Sequence, residues 1–388
     1  MRYQGAAPEG GCTCCNSFRD GFRMRLFSLS VMKPRLVFLV MSAVHPVATV
    51  RDLCRTLAPH TVLLHHDFSQ SPDFALDEPN VVFVPDPKRT GWGVWPFAQG
   101  IFRGIEFAVE HLDFDYLQVL SPTCFPIKPL SSFEAHVASR KTEADFAWLD
   151  LYRDDDALMS IGYRMFAPED SIAHRVLRRL FLTYYGASEA RRDVQGVQLR
   201  TRPETLGNGR LPLRARLALA ATRAWTRPSA DRHIFNEKFR PCFGSAWFGA
   251  HRHVIEWLLV RFRQADIEPY FSGLRIPEEL VIPTLLKNSG FKGGPYNHCI
   301  ITFRGANPKW IDEADFEQLR SSPAFFARKF PVEIDASIRR RVLQELVGPR
   351  LPRPASANAL NPATDVNAAQ AVNVPANWTE KETSAAGR

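Results

Sequence analysis

No stretch of 18 consecutive apolar residues occurs among the 388 residues, so the sequence predicts no membrane-spanning helix. The apolar segment from Leu36 to Val44 has only the length of a strand. A disulfide framework is lacking as well. The seven cysteines (12, 14, 15, 54, 124, 242 and 299) are odd in number and follow no framework spacing. Cys12, Cys14 and Cys15 resemble a metal-binding fragment, but no second Cys/His pair follows at zinc-ligand spacing. Reduced thiols of a cytosolic protein are the expectation. Residues 1–31 have neither an apolar core nor a small-residue cleavage site, which excludes a signal peptide. They read as a disordered extension, with Met32 the start of the fold. The chain is also short of negative charge, with a net charge of +8. Residues 171–240 hold 14 Arg and one Lys against five acidic residues, a balance of +10. Such a field points to an anionic partner, whether lipid headgroup, acidic glycan, phosphorylated molecule or nucleic acid; genome composition accounts for an Arg excess equally well. No nucleic-acid recognition motif is present, so nucleic acid is not expected.

What is present is a large core. Hydrophobic residues make up 45% of the chain, including 28 Phe and 8 Trp. Arg35–Ser42 is an uninterrupted apolar run, the mark of a strand buried on both faces of a parallel sheet. Helix 45–57 follows, then strands 61–65 and 81–84, helix 97–112, strand 116–120 and a fifth strand at 146–149. This alternation predicts an α/β fold with a central, mostly parallel sheet flanked by helices and a ligand beyond the carboxyl ends of its strands. From 152 to 240 the pattern loosens into helices and polar loops, and it becomes regular again from Gly244 to about Leu346. The folded domain is expected to span 32–346. The Pro-, Ala- and Asn-rich residues 347–388 read as a disordered tail.

Four segments carry chemical groups. His65-His66-Asp67 follows a buried strand, and Trp92-Gly93 stands before a long helix whose free N–H groups suit an anion. Leu120-Ser121-Pro122-Thr123-Cys124-Phe125-Pro126 breaks a strand end with prolines. Gly244-Ser245-Ala246-Trp247 is followed about 30 residues later by Pro277-Glu278-Glu279, and Phe325-Phe326-Ala327-Arg328-Lys329-Phe330 places two cations in an apolar hexapeptide. Each alone has an ordinary reading: core aromatics beside glycine, acids in the first turn of a helix, a solvated cationic face.

In their order and spacing these segments resemble the core-2/I-branching β-N-acetylglucosaminyltransferases and the related peptide O-xylosyltransferases. The resemblance runs from about Arg35 to Glu345. It implies a GT-A-like nucleotide-sugar-binding fold and inverting transfer from a UDP-sugar to a hydroxyl by one general base. It also implies that Arg and Lys, in place of a metal ion, neutralise the diphosphate. The residues agree on the metal, because the strand exit Ser121–Cys124 carries no carboxylate. Asp113-Phe114-Asp115 precedes that strand, at the wrong end of the sheet, and Asp154-Asp155-Asp156 reads as a solvated loop. Two departures stand out: Cys124 replaces the family's Asp, and His298–Cys299 falls where a second phosphate-binding cation is expected, with Arg304 its substitute.

The expectation is therefore an inverting, metal-independent bacterial glycosyltransferase of surface-polysaccharide synthesis, requiring no cofactor beyond its UDP-sugar donor of GlcNAc or xylose type. Glu279, beside Glu278, is the expected base. Lys329 with Arg328 or Arg304 holds the diphosphate, and His65, Asp67, Trp92 and Gly93 line the nucleotide side. Cys124, Ser245 and Trp247 contact substrate. The acceptor is a glycan or lipid-linked saccharide, and the location cytoplasmic, peripheral at the inner face of an anionic membrane. The apolar residues Leu213, Leu217, Ala221 and Trp225 share one helical face, as in an interfacial helix or an ordinary packed one. The alternative is a non-catalytic glycan- or nucleic-acid-binding protein with a degenerate site.

Overall fold

Seven consecutive buried residues, Leu36–Ser42, form β1. Because side chains alternate across a strand, Val37, Leu39 and Met41 enter one core while Leu36, Phe38 and Val40 enter another. Both faces are covered, and this is why the run shows no polar alternation. α1 (Val47–Leu57) covers the second face with Val50, Leu53, Cys54 and Leu57. β2 (Thr61–His66) and β3 (Val81–Phe83) extend the sheet in parallel. α2 (Trp95–His111) covers the first face with Ala98, Ile101, Phe102 and Ile105, and Gly104 lets it sit directly on Leu39. β4 (Tyr116–Leu120) pairs in parallel on the other side of β1.

The computed structural model describes residues 33–348 apart from 169, 195–196, 228–233, 295–297, 302 and 305–306; those from Lys33 on belong to one unit. The extension 1–31 and residues 349–388 of the tail lie outside the described residues.

After β4 come β5 (Phe125–Pro126), α3 (Leu130–Ala138), β6 (Ala144–Asp145) and β7 (Trp148–Asp150). The single strand expected at 146–149 is thus two: β6 joins the main sheet, and the chain then leaves it to build a separate pair. The helical stretch contains α4 (Asp155–Phe166), α5 (Ile172–Tyr185), β8 (Arg191–Val194), β9 (Val197–Arg200), α6 (Pro203–Leu206) and α7 (Leu213–Thr226). Asp154–Asp156 is not a solvated loop. Asp154 caps α4 by accepting from the Ala157 N–H at 2.9 Å, and buried Asp156 accepts from the hydroxyls of Tyr184 and Thr205, both at 3.1 Å.

The rest comprises β10 (Cys242–Gly244), β11 (Gly249–His251), α8 (Arg252–Phe262), α9 (Ile267–Phe271), α10 (Glu278–Asn288), β12 (Cys299–Ile301), β13 (Phe303–Arg304), β14 (Asn307–Pro308), α11 (Phe316–Ser321), β15 (Phe326–Arg328) and α12 (Ser337–Val342). The main sheet runs β3-β2-β1-β4-β11-β6, with β11 antiparallel to both its neighbours. A small sheet, β12-β15-β5, is placed by β5 just past the carboxyl end of β4. The fold is therefore mixed α/β with a mostly parallel six-stranded sheet, as the alternation predicts.

Candidate active site

β15 ends in the cation pair. It lies between β12 and β5, and the Phe330 N–H donates to the Thr123 carbonyl at 2.9 Å. Arg328 and Lys329 therefore emerge against the turn that follows β4. The Arg328 guanidinium lies 4.7 Å from the Trp247 ring centroid, and Lys329 Nζ lies 4.5 Å from that of Trp310. Among the described residues neither cation has a carboxylate within ion-pair distance, and the buried Arg328 Nε has no hydrogen-bond partner. Burial and the neighbouring Arg328 lower the Lys329 pKa.

Opposite them stands the turn from β1 into α1. Burial, then the charges of Lys329 and Arg328, push His45 down to about 4, so it is neutral near pH 7. No side chain caps α1. Thr49 and Val50 donate to the Pro46 carbonyl at 3.0 and 3.2 Å, whereas the N–H groups of Val47 and Ala48 have no acceptor among the described residues. The two cations are thus close enough to His45, just before the open N-terminus of α1, for their charge to be felt there, an arrangement suited to a phosphate group.

The acids come from the first turn of α10. Glu279 is 35% exposed and lies 3.6 Å from Arg164 of α4. Burial raises its pKa, against the lowering fields of Arg164 and Arg328. Glu278 is buried, its Oε2 without a hydrogen-bond partner, and burial followed by the charge of Glu279 pushes it up to about 8. Glu279 is the carboxylate in reach of solvent and of Arg328's field; Glu278 is a neutral acid at pH 7.

Gly244 explains the Gly-Ser-x-Trp segment. A Cβ there would lie 1.8 Å from the Ala147 carbonyl oxygen, so only glycine permits the approach of β10 to that backbone. The buried Ser245 hydroxyl accepts from the Trp247 N–H at 3.1 Å, fixing the turn that aims the indole at Arg328.

Other expected site residues lie elsewhere. His65 points into the α2 layer, where its Nε2 accepts from the Lys88 N–H at 3.0 Å and it packs on Gly100. Asp67 is a clasp: it accepts from Ser69, Gln70 and both the N–H and hydroxyl of Thr90, at 2.6–3.0 Å. Burial alone would raise its pKa, but these bonds outweigh it and hold the carboxylate below its usual range. It positions the loop and has no lone pair to spare for a ligand. Trp92 is exposed with Arg275 over its ring, and the Gly93 carbonyl accepts from the Ile276 N–H at 2.9 Å. Both thus sit beside the turn that leads into Glu278–Glu279.

Cys124 is buried beneath the turn, where its sulfur accepts from the Ser121 N–H at 3.3 Å. Burial raises its pKa, but a hydrogen bond from Cys299 and the Arg328 charge outweigh this and lower it; the Cys299 thiol moves up in turn. His298 is not the expected phosphate cation. It turns toward Asp145, its Nε2 3.0 Å from Asp145 Oδ2, with His136 at 3.4 Å from the same oxygen. Tyr116 and Thr142 also donate to Asp145, at 2.7 and 2.8 Å. His136, Asp145 and His298 hold ligand atoms within 4.8 Å of one another, a spacing that suits a metal ion, and they belong to the α3 side of the sheet and not to the α10 turn. Arg304 is on β13, its side chain outside the described residues.

Sequence reasoning misses His45, Arg164 and Trp310. His45 had a signal in its place just past the first strand's carboxyl end; Arg164 had none, since only the packing of α4 brings it to α10. Compared with family models and with curated proteins, the chain matches none.

Proposed function

We propose that the chain is an inverting glycosyltransferase of the GT-A type that transfers a sugar from a UDP-sugar to a hydroxyl, its leaving diphosphate held by side chains. The observation that carries this reading is the Arg328–Lys329 pair, without a carboxylate partner among the described residues, whose charge acts on His45 before the uncapped N-terminus of α1 while that of Arg328 also acts on Glu279. The motif order that resembles the core-2/I-branching transferases supports it independently. The acceptor hydroxyl attacks the anomeric carbon while Glu279 takes its proton. The bond from that carbon to the diphosphate oxygen breaks, and the negative charge that develops on UDP is met by Lys329, Arg328 and the N–H groups of α1. Arg164 holds Glu279 in place, and Trp247 braces Arg328. Trp92 and Gly93 stand where an acceptor enters, and a glycan or lipid-linked saccharide is the acceptor class. Ser121–Cys124, at the end of β4, offers no carboxylate for a divalent ion between sheet and diphosphate.

Calorimetric titration with UDP and UMP, followed by mass-spectrometric detection of hydrolysis across a panel of UDP-sugars, tests the reading. Binding of UDP with turnover of one donor is the expected result. Binding without turnover of any donor, with or without candidate acceptors, would assign the alternative, a binding protein with a degenerate site.

A further inference from the structure

α5 and α7 pack against each other and against α4, and α7 does so with mostly small residues inward. A surface helix of a folded domain turns its large apolar residues inward. α7 buries Ala215, Ala218, Leu219, Thr222 and Thr226, and leaves Leu213, Leu217 and Trp225 outside at 68%, 62% and 46% exposure. α5 buries Leu177, Tyr184 and Tyr185 in the usual way, yet it too leaves apolar residues outside, with Ile172 at 72% and Val176 and Leu182 also exposed. The small inward residues of α7 let the helices approach closely, so the outward residues are not needed for the packing. The stripe at 213, 217, 221 and 225 is thus not the buried face of an ordinary helix.

The charge carried by the two helices themselves has one sign. Neither helix contains an acidic residue, and together they carry Arg175, Arg178, Arg179, Arg214, Arg216 and Arg223. Among the described residues Arg223 alone of the six has a carboxylate partner, Asp155. Exposed Leu, Ile and Trp interleaved with unpaired Arg complement a surface that is apolar beneath and anionic above. A bilayer with acidic headgroups is such a surface. A protein partner would need a matching groove and acids in register, for which nothing here argues.

We infer that the outer face of α5 and α7 docks the protein on an anionic lipid bilayer, with Leu213, Leu217, Trp225 and Ile172 entering the headgroup region and the Arg residues meeting lipid phosphates. α4, which both helices pack against, also carries Arg164, the partner of Glu279. The inference does not depend on the chemistry of the cleft, since docking is measured without substrate.

The test is co-sedimentation of the full chain with phosphatidylcholine vesicles containing roughly one-third phosphatidylglycerol, and with pure phosphatidylcholine vesicles as the neutral arm. The expected result is pelleting with the anionic vesicles at low salt, at least about fivefold above the neutral arm, and release as ionic strength rises past the range where the Debye length falls below about 8 Å. Two variants sharpen it: Leu213→Ser with Leu217→Ser and Trp225→Ser, and Arg175→Gln with Arg179→Gln, Arg214→Gln and Arg216→Gln. Each alters only exposed side chains, so thermal melting close to that of the parent is expected, and each should lose most of the pelleting. The inference is overturned if the parent chain stays in the supernatant at low salt, if both folded variants pellet as it does, or if gel filtration shows that the same face joins two copies.

Discussion

The two ends of the central sheet treat charge in opposite ways. At the amino ends of β1 and β4, Arg35 pairs with Asp113 and with Asp115, the latter at 3.0 Å, and its own N–H donates to Asp115 at 2.8 Å. Arg252 nearby donates to Glu256 and to the carbonyls of Leu112 and Val109, each at 2.8 Å. At the carboxyl ends, Arg328 and Lys329 have aromatic rings beneath them and, among the described residues, no carboxylate within ion-pair distance. A cation with its carboxylates in place lowers the energy of the fold; a cation without them holds its field for something that arrives later. The letters Asp-Phe-Asp at 113–115, which elsewhere suggest a metal site, here serve the first purpose.

The sharpest way to break this contrast is at the base. Glu279→Gln should lower transfer by roughly 10²–10⁴ and leave UDP affinity within about twofold, read by turnover and titration on the same preparation. An active Glu279→Gln with an inactive Glu278→Gln would move the role to the buried neighbour. Next in size, Lys329→Ala should weaken UDP by about tenfold to hundredfold, the worth of a charge-assisted hydrogen bond of roughly 1.5–3 kcal/mol, and weaken UMP less. The matched control is Arg35→Ala, which should leave UDP binding unchanged and lower the melting temperature. Equal loss of UDP in both variants would erase the distinction between the two ends.

A smaller effect concerns Glu278. Burial and the charge of Glu279 push its folded pKa up to about 8, above the ordinary value of 4.5. Between those values the unfolded chain releases a proton that the native state keeps, so this contribution to stability is full below 4.5 and falls as pH rises toward 8. Glu278→Gln should remove that decline, and melting curves from about pH 5 to pH 8 should be flatter for the variant than for the parent. The smallest effect expected is none at all. Turnover should be the same in EDTA as without it, and loss restored by manganese would place a divalent ion in the mechanism.

The parts of the fold that could be read from the sequence are those where one physical rule acts alone. Arg35–Ser42 and Tyr116–Leu120 read as strands because their residues are mostly apolar without alternation, and 97–112 reads as a helix because Phe97, Ile101, Ile105 and Ala108 recur at its period; the structure has β1, β4 and α2 there. The hairpin of β8 and β9 was hidden because RRDV and VQLR are too polar to mark a strand. His65 shows a finer failure. Alternation puts it on the same face as Leu63, toward α2, and His66 on the other, stacked 3.9 Å from Phe74. Proximity to a strand end suggested a ligand for His65, whereas strand parity, read strictly, turns it toward the α2 layer. At the site, Glu279, Arg328, Lys329 and Trp247 were legible as motif letters. Arg164 was not, because 115 positions separate it from its partner and no local pattern spans that distance.

The cation strand has a consequence for how the protein is made. β15 is built from Phe326–Arg328, yet its antiparallel neighbour is β5 at Phe125–Pro126, some two hundred positions earlier. Synthesis runs from the amino end at about 5–20 residues per second, and domains tend to form as their segments emerge. The main sheet, whose last strand in the sequence is β11 at 249–251, can assemble while the cations are still inside the ribosome. Until Lys329 has emerged, the nascent chain has a cleft with a base and no counter-charge. A product cut short before that residue would keep most of the sheet and lack the cation pair, so on the proposed reading incomplete chains would not compete with the full-length protein for nucleotide.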